Sequence, residues 1–366
     1  MPEQDIPRRT CGTMPVHQLL VLTDPEYRQN RLRIEAFSSG YTRGRRDSVL
    51  RDGVVRIPVV VHVLHRDSAE NISDAQVTSQ LDVLNHDFRM TNSDLSTAPP
   101  PFRARAGDAR IEFVLADRDP SGASTNGITR RATSKSVFHS LHRDAHFTHL
   151  GGTDAWPTDR YLNIWVVPGL TDGARKLLGY GQFPGGSAAT DGVVILHRAF
   201  GTNGTATAPY HLGRTTTHEV GHFLNLLHIW GDDDGRCDAS DAVGDTPNQA
   251  DANVGKPAFP CITCGNAPDG DMFVNYMDYS DDDSMCLFTV GQVARMRATL
   301  SGPRASLVLS SGGDAPPDAG RVSMSRFNAR ASAAVERGER PTRFFDGVGW
   351  VSGSAIRADV LSMLGD

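Results

Sequence analysis

The sequence predicts an α+β fold, with a mixed twisted sheet and helices in an upper subdomain and a loop-rich, disulfide-linked lower subdomain. Three observations carry this. Short β-branched runs recur between residues 57 and 196, with helical or turn-rich stretches between them. After Asn225 the pattern stops, and Gly, Asp and Pro dominate. Four of the five cysteines (Cys237, Cys261, Cys264 and Cys286) fall in that second half.

Taken in order, residues 1–51 are polar and arginine-rich, and close on Arg43, Arg45, Arg46 and Arg51. They read as a leader with a protease-sensitive end. Ile57 to Leu64 suits a buried strand. Ser73 or Asp74 caps a helix carrying Val77, Leu81, Val83 and Leu84. Pro99, Pro100 and Pro101 break the chain, and Ile111 to Leu115 is a second strand. His139, His142, His146 and His149 recur at helical spacing and read as histidines on a helix surface. Tyr161 to Val167 is a third strand. Tyr180, Gly181, Gln182 and Phe183 lie in a glycine- and proline-bounded edge strand that an extended peptide could join. Asp191 to Leu196 is the last strand before a histidine-bearing helix. Gln292, Val293, Met296 and Leu300 read as a closing helix. The expected units are a leader (1–51), a folded domain (52–300), a Pro/Gly/Ser-rich linker (301–320) and an extension without readable motif (321–366).

The chain has 366 residues, 39% hydrophobic and 22% charged, as in a globular protein. No apolar run approaches the roughly 18 residues of a membrane span. Met1 to Arg9 shows no apolar signal region. The clustered cysteines nevertheless suit an exported protein with two disulfides, against a structural zinc site at the Cys261/Cys264 pair. Between Gly231 and Asp283, 13 Asp face only Arg236 and Lys256, although the whole chain carries −6. That face excludes nucleic acid and favours cations or basic peptides. Calcium, which prefers hard oxygen ligands, is expected near Ser240, Asp241, Gly244 and Thr246.

The chemistry is concentrated at His218, Glu219, His222 and His228. Histidines four apart share one helical face and can hold one metal ion, with Glu219 beside them as general base. His228 follows six residues after His222, so the helix must turn sharply between them. Asn225 sits there, and asparagine tolerates a left-handed backbone. Zinc is the expected metal.

The set resembles the metzincin metallopeptidases, whose motif is HExxHxxGxxH followed by a methionine turn. Asn225 replaces the usual glycine, and Asn275-Tyr276-Met277-Asp278-Tyr279 matches the turn. Gly152 to Pro157, Tyr161 to Val166, and Asp278 to Asp282 with Phe288 and Thr289 are similar to the pappalysin family, over residues 55–300. That resemblance implies a zinc endopeptidase with a metzincin-like catalytic domain. It implies Met277 beneath the ligands and Tyr279 as donor to the oxyanion. It also implies disulfides Cys237–Cys264 and Cys261–Cys286, and Asp283 at the base of an S1′ pocket selecting Arg, then Lys. Arg9-Thr10-Cys11-Gly12-Thr13 resembles a cysteine switch, with Cys11 as fourth ligand and residues 1–51 as inhibitory propeptide. Peptides, proteins and its own propeptide are then the partners. The competing reading is a non-catalytic or differently specific zinc-binding homologue acting as a binding module.

Overall fold

The computed structural model describes residues 8–42 and 53–309, apart from Asp234. The arginine-rich leader end therefore lies outside the described residues, as does the extension.

The leader forms two helices, α1 (Thr13–Thr23) and α2 (Pro25–Thr42). Six strands follow in one sheet: β1 (Val55–His65), β2 (Ile111–Leu115), β3 (Ile128–Ala132), β4 (Leu162–Val167), β5 (Gly179–Gly181) and β6 (Val193–Leu196). Their order is β2–β1–β4–β6–β5. β3 continues the β2 edge along the far half of β1. All pairs are parallel except β5 with β6, so β5 is an antiparallel edge strand, as its glycines suggested. Five of these strands sit where the sequence placed them, four on apolar runs and β5 on its bounding glycines and proline. β3 has no such signal, because Arg130 and Arg131 interrupt it and it is half exposed.

Alternation divides the sheet's two faces. Val59, Val61, Ile164, Val166, Val193 and Ile195 face one core with Val77, Leu81, Leu84 and Phe88 of α3 (Asp74–Phe88). Ser73 caps α3 by accepting Gln76 N–H. Leu64, Trp165, Val167, Tyr180 and Val194 face a second core, which the leader completes with Val16, Leu20, Val21 and Tyr27. α4 (Arg214–Phe223) crosses the first face near β5 and β6, and α5 (Val290–Ser301) closes the fold behind a Thr289/Gln292 capping box.

Several expectations are corrected. The linker does not begin at 301: α6 (Ala305–Leu309) packs on β1, Leu307 is fully buried, and Arg304 donates to Phe223 O at 2.8 Å. The prolines at 99–101 do more than break the chain, since Pro100–Arg103 is one helical turn started by proline at its N-terminus. No helix spans His139 to His149. Arg143 is left-handed, with φ 54°, and splits the segment into short turns. His146 is buried, with Nε2 3.0 Å from Tyr180 Oη. Cys261 and Cys286 are not joined: Cys286 is buried in the core, while Cys261 lies in a partly exposed loop facing Asn253 and Asp271. Cys237–Cys264 is the disulfide of the described residues. Three thiols therefore remain, rather than Cys11 alone.

Candidate metal centre

α4 carries His218, Glu219 and His222 and stops at a Schellman turn. Leu226 N–H donates to Gly221 O at 2.9 Å and Asn225 N–H to His222 O at 2.8 Å, with Asn225 at φ 75°. This turn brings His228 back to the metal side. Met277 packs against this helix: a Cβ on Gly221 would meet Met277 Sδ at 2.5 Å, so a side chain there would displace the methionine.

Each imidazole is oriented through Nδ1. Tyr276 O is 2.7 Å from His218, Leu226 O is 2.8 Å from His222, and the Asp232 carboxylate is 2.8 Å from His228. A carbonyl oxygen only accepts, so His218 and His222 hold their proton at Nδ1 and turn bare Nε2 lone pairs inward. Burial keeps both rings far below the usual histidine range, hence neutral. His222 Nε2 lies 3.1 Å from Nε2 of His218 and of His228. Lone pairs that converge this closely suit a cation between them. Nitrogens 2.0–2.1 Å from a tetrahedral zinc would lie roughly 3.3 Å apart, so these residues fit the metal.

Cys11 Sγ joins the three nitrogens in a four-donor set within 4.8 Å. The leader is bound along β5: Gly12 N–H donates to Gly179 O at 2.9 Å and Leu178 N–H to Thr10 O at 3.1 Å. Thr13 hydroxyl accepts Gly181 N–H at 2.8 Å and donates to Glu219 Oε2 at 3.1 Å. Cys11 Sγ is 3.2 Å from the same carboxyl oxygen. Burial, then the Glu219 charge, raise the Cys11 thiol well above its usual value. Burial also pushes Glu219 up to about 8. Tyr279 Oη accepts Cys11 N–H at 3.3 Å, and its ring lies 5.0 Å from that of His228. Burial keeps its hydroxyl protonated.

Of the edge-strand residues, Gly181 packs so closely on α4 that a Cβ would meet Glu219 O at 2.6 Å. Phe183 stacks edgewise on His222 at 5.3 Å. Tyr180 turns away, to His146, and the Gln182 side chain bonds Thr190 and Ser187.

Asp283 does not close a pocket. Its side chain is 45% exposed and pairs with Lys256 at the surface. The buried carboxylate is Asp282, one residue earlier, in a tight turn over Asp282–Ser284. Asp282 accepts Leu212 N–H at 2.7 Å and pairs with Arg9 of the leader. Arg9 also donates to Ser280 O at 3.0 Å and to Thr215 Oγ1 at 3.2 Å, and lies over the Tyr210 ring. The sequence reading missed Tyr210, Thr215 and Asp232, and had Arg9, Thr13 and Asp282 only as members of family-like segments, without these roles. Of the three it missed, Asp232 carried a signal, four residues after His228.

Near the expected calcium site, Asp241 is buried and accepts the Thr246 hydroxyl at 2.8 Å, while Ser240 and Gly244 are exposed. Burial pushes Asp241 up to about 7.

Residues 151–301, which hold all three histidines, match the peptidase M43 family, described as pregnancy-associated plasma protein-A. An extracellular metalloprotease of Arthroderma benhamiae is 29% identical over 293 residues, 79% of this chain and 89% of that one. One of Pyricularia oryzae is 32% identical over 263 residues, 70% and 78% of the two chains. Among solved structures, Tannerella forsythia mature mirolysin with a cleaved peptide is 50% identical, with TM-score 0.69 over 72% of this chain and all of that one. A mutant of promirolysin from that organism is 47% identical, with TM-score 0.74 over 82% and 97%.

Proposed function

Because this chain belongs to the peptidase M43 family and is a metalloendopeptidase, we propose that it is exported as a latent precursor held by Cys11, and that once released it cuts before arginine, then lysine. Export accords with the extracellular relatives and the Cys237–Cys264 disulfide. In the described residues no helix is long and apolar enough to cross a membrane.

One observation carries the specificity. The leader already places an arginine in a pocket beside the metal centre, where Asp282 gives it a buried partner and Tyr210, Thr215 and Ser280 O frame it. A substrate arginine would use the same groups, so Asp282 replaces Asp283 as the proposed selector.

His218, His222 and His228 would hold zinc, which when bound supplies Lewis acidity to the scissile carbonyl. Glu219 would take the proton of the attacking water and return it to the leaving amine. The Tyr279 hydroxyl, kept protonated by burial, would donate to the oxyanion. β5 would pair with the extended substrate backbone, as it pairs with residues 10–12 of the leader. Thr13 engages the general base, so the leader blocks metal, base and strand together. The bonds Gly44–Arg45, Arg45–Arg46 and Leu50–Arg51 carry arginine after the cut and support self-processing. Calcium is proposed at Asp241, whose buried carboxylate would gain a counter-charge.

Hydrolysis of a quenched-peptide library by the processed protein tests this reading. Glu219→Ala should bind zinc and lose turnover, and full-length Cys11→Ala should be more active than full-length wild type. Intact turnover in Glu219→Ala would leave the competing reading, a binding module with incidental hydrolysis from another source.

A further inference from the structure

The leader is held at a second place, away from the metal. α2 packs along α5 of the catalytic body, and its Glu35 is 2% exposed. Glu35 Oε1 accepts from Arg295 Nη2 at 2.7 Å, Asn225 Nδ2 at 3.1 Å and Arg31 Nη2 at 2.9 Å. The first two donors belong to the body. Arg295 Nε also donates to Asn225 O at 2.6 Å, so guanidinium and amide are fixed to one another. Burial alone would raise the Glu35 carboxyl, but Arg295 and Arg31 outweigh it and hold it below its usual value.

Asn225 is the residue that departs from the motif. The left-handed turn needs no side chain, and glycine would adopt φ 75° without strain. What asparagine adds is the amide that meets Glu35.

Resting on the latent-precursor reading above, we propose that Arg295 and Asn225 form a carboxylate-binding site on the catalytic body. Its ligand is Glu35, and the site keeps the leader bound after the chain is cut between residues 43 and 52. Other contacts act from the same helix. Arg31 donates to Pro184 O at 3.1 Å and covers the Phe183 ring, and Asn30 donates to Gly185 O at 3.1 Å. Tyr27 and Ile34 are buried. A cut beyond Thr42 disturbs none of these. Cleavage and release are therefore separate steps, and the cut protein stays blocked until α2 leaves the Arg295 site.

The full-length chain, cut in residues 43–51 by an added site-specific protease, tests this by gel filtration with mass detection of the leader fragment. The measurement is made with and without a chelator, which removes the Cys11 anchor. Wild type should retain the fragment after chelation. Glu35→Gln should retain it at least about tenfold less, because a buried charge loses its partner. Asn225→Gly, which keeps the turn, should also retain less. Should Glu35→Gln melt before the cut, Asn225→Gly carries the comparison. Equal release from wild type and from the variants after chelation would overturn the proposal. No step reads peptidase activity, so a failed peptidase reading would not be mistaken for a failed binding site.

Discussion

Replacing Asp282 by Asn removes a charge and little else. The side chain is fully buried, and one oxygen accepts Leu212 N–H at 2.7 Å, a bond an asparagine oxygen can keep. The other oxygen pairs with the guanidinium of Arg9. The turn over residues 282–284 should survive while the pocket loses its selectivity. Truncating a buried, hydrogen-bonded charge pair costs about 2–5 kcal/mol. At 1.4 kcal/mol per decade, preference for arginine over leucine at P1′ should fall by about 30-fold to several thousand-fold. The assay is kcat/KM on two peptides differing only at P1′. The leader uses the same pocket, so Asp282→Asn in the full-length chain should also raise basal activity. Asp283→Asn is the control, since that group pairs with Lys256 at the surface. An arginine preference that survives Asp282→Asn in a folded enzyme, or that falls equally in Asp283→Asn, would refute the assignment.

Other outcomes are expected. Asp232→Ala removes the group orienting His228 Nδ1 and should lower zinc affinity about 10–100-fold in a chelator competition; an unchanged affinity would assign that orientation elsewhere. The denatured, unreduced chain should show three reactive thiols by mass, and a count of one would restore the Cys261–Cys286 bridge. Burial raises Asp241 from 3.8 to about 7, so its contribution to stability is full below the lower value and is lost as pH rises through the upper one. Calcium would bind the ionised form, and should raise the melting temperature more at pH 8 than at pH 5; no shift at either pH removes calcium from this site.

What was legible in the sequence was whatever its local pattern determines. The metal helix, its turn at Asn225 and the methionine turn rest on spacing and on a left-handed residue. β1 and β4 rest on β-branched runs buried on both faces, β2 and β6 on shorter apolar runs, and β5 on the glycines and proline that bound it. What failed depended on distant packing. In Asp281-Asp282-Asp283 nothing local distinguishes three identical residues, and a single short turn decides which one points inward. The histidines at 139–149 have helical spacing, but left-handed Arg143 breaks the helix. Residues 1–51 read as an inhibitory leader but its helices do not show, because α2 docks through Asn30, Arg31 and Glu35 as well as apolar groups. Spacing allows Cys261 and Cys286 to pair, but the fold leaves both as free thiols, Cys286 buried and Cys261 partly exposed.

The second core has a consequence for how the chain reaches its working form. Val16, Leu20, Val21 and Tyr27 are interior residues for Leu64, Trp165, Val167 and Tyr180. The molecule thus completes one wall of its interior with a part it is proposed to discard. A gene fragment starting after residue 51 must collapse with that wall facing water, where bare apolar surface favours association between chains. On the proposed reading, protein matured from the full chain would inherit a finished interior and lose the wall only afterwards. Two samples of one amino-acid sequence would then differ by history, one trapped in a fold that the other reaches poorly, if at all.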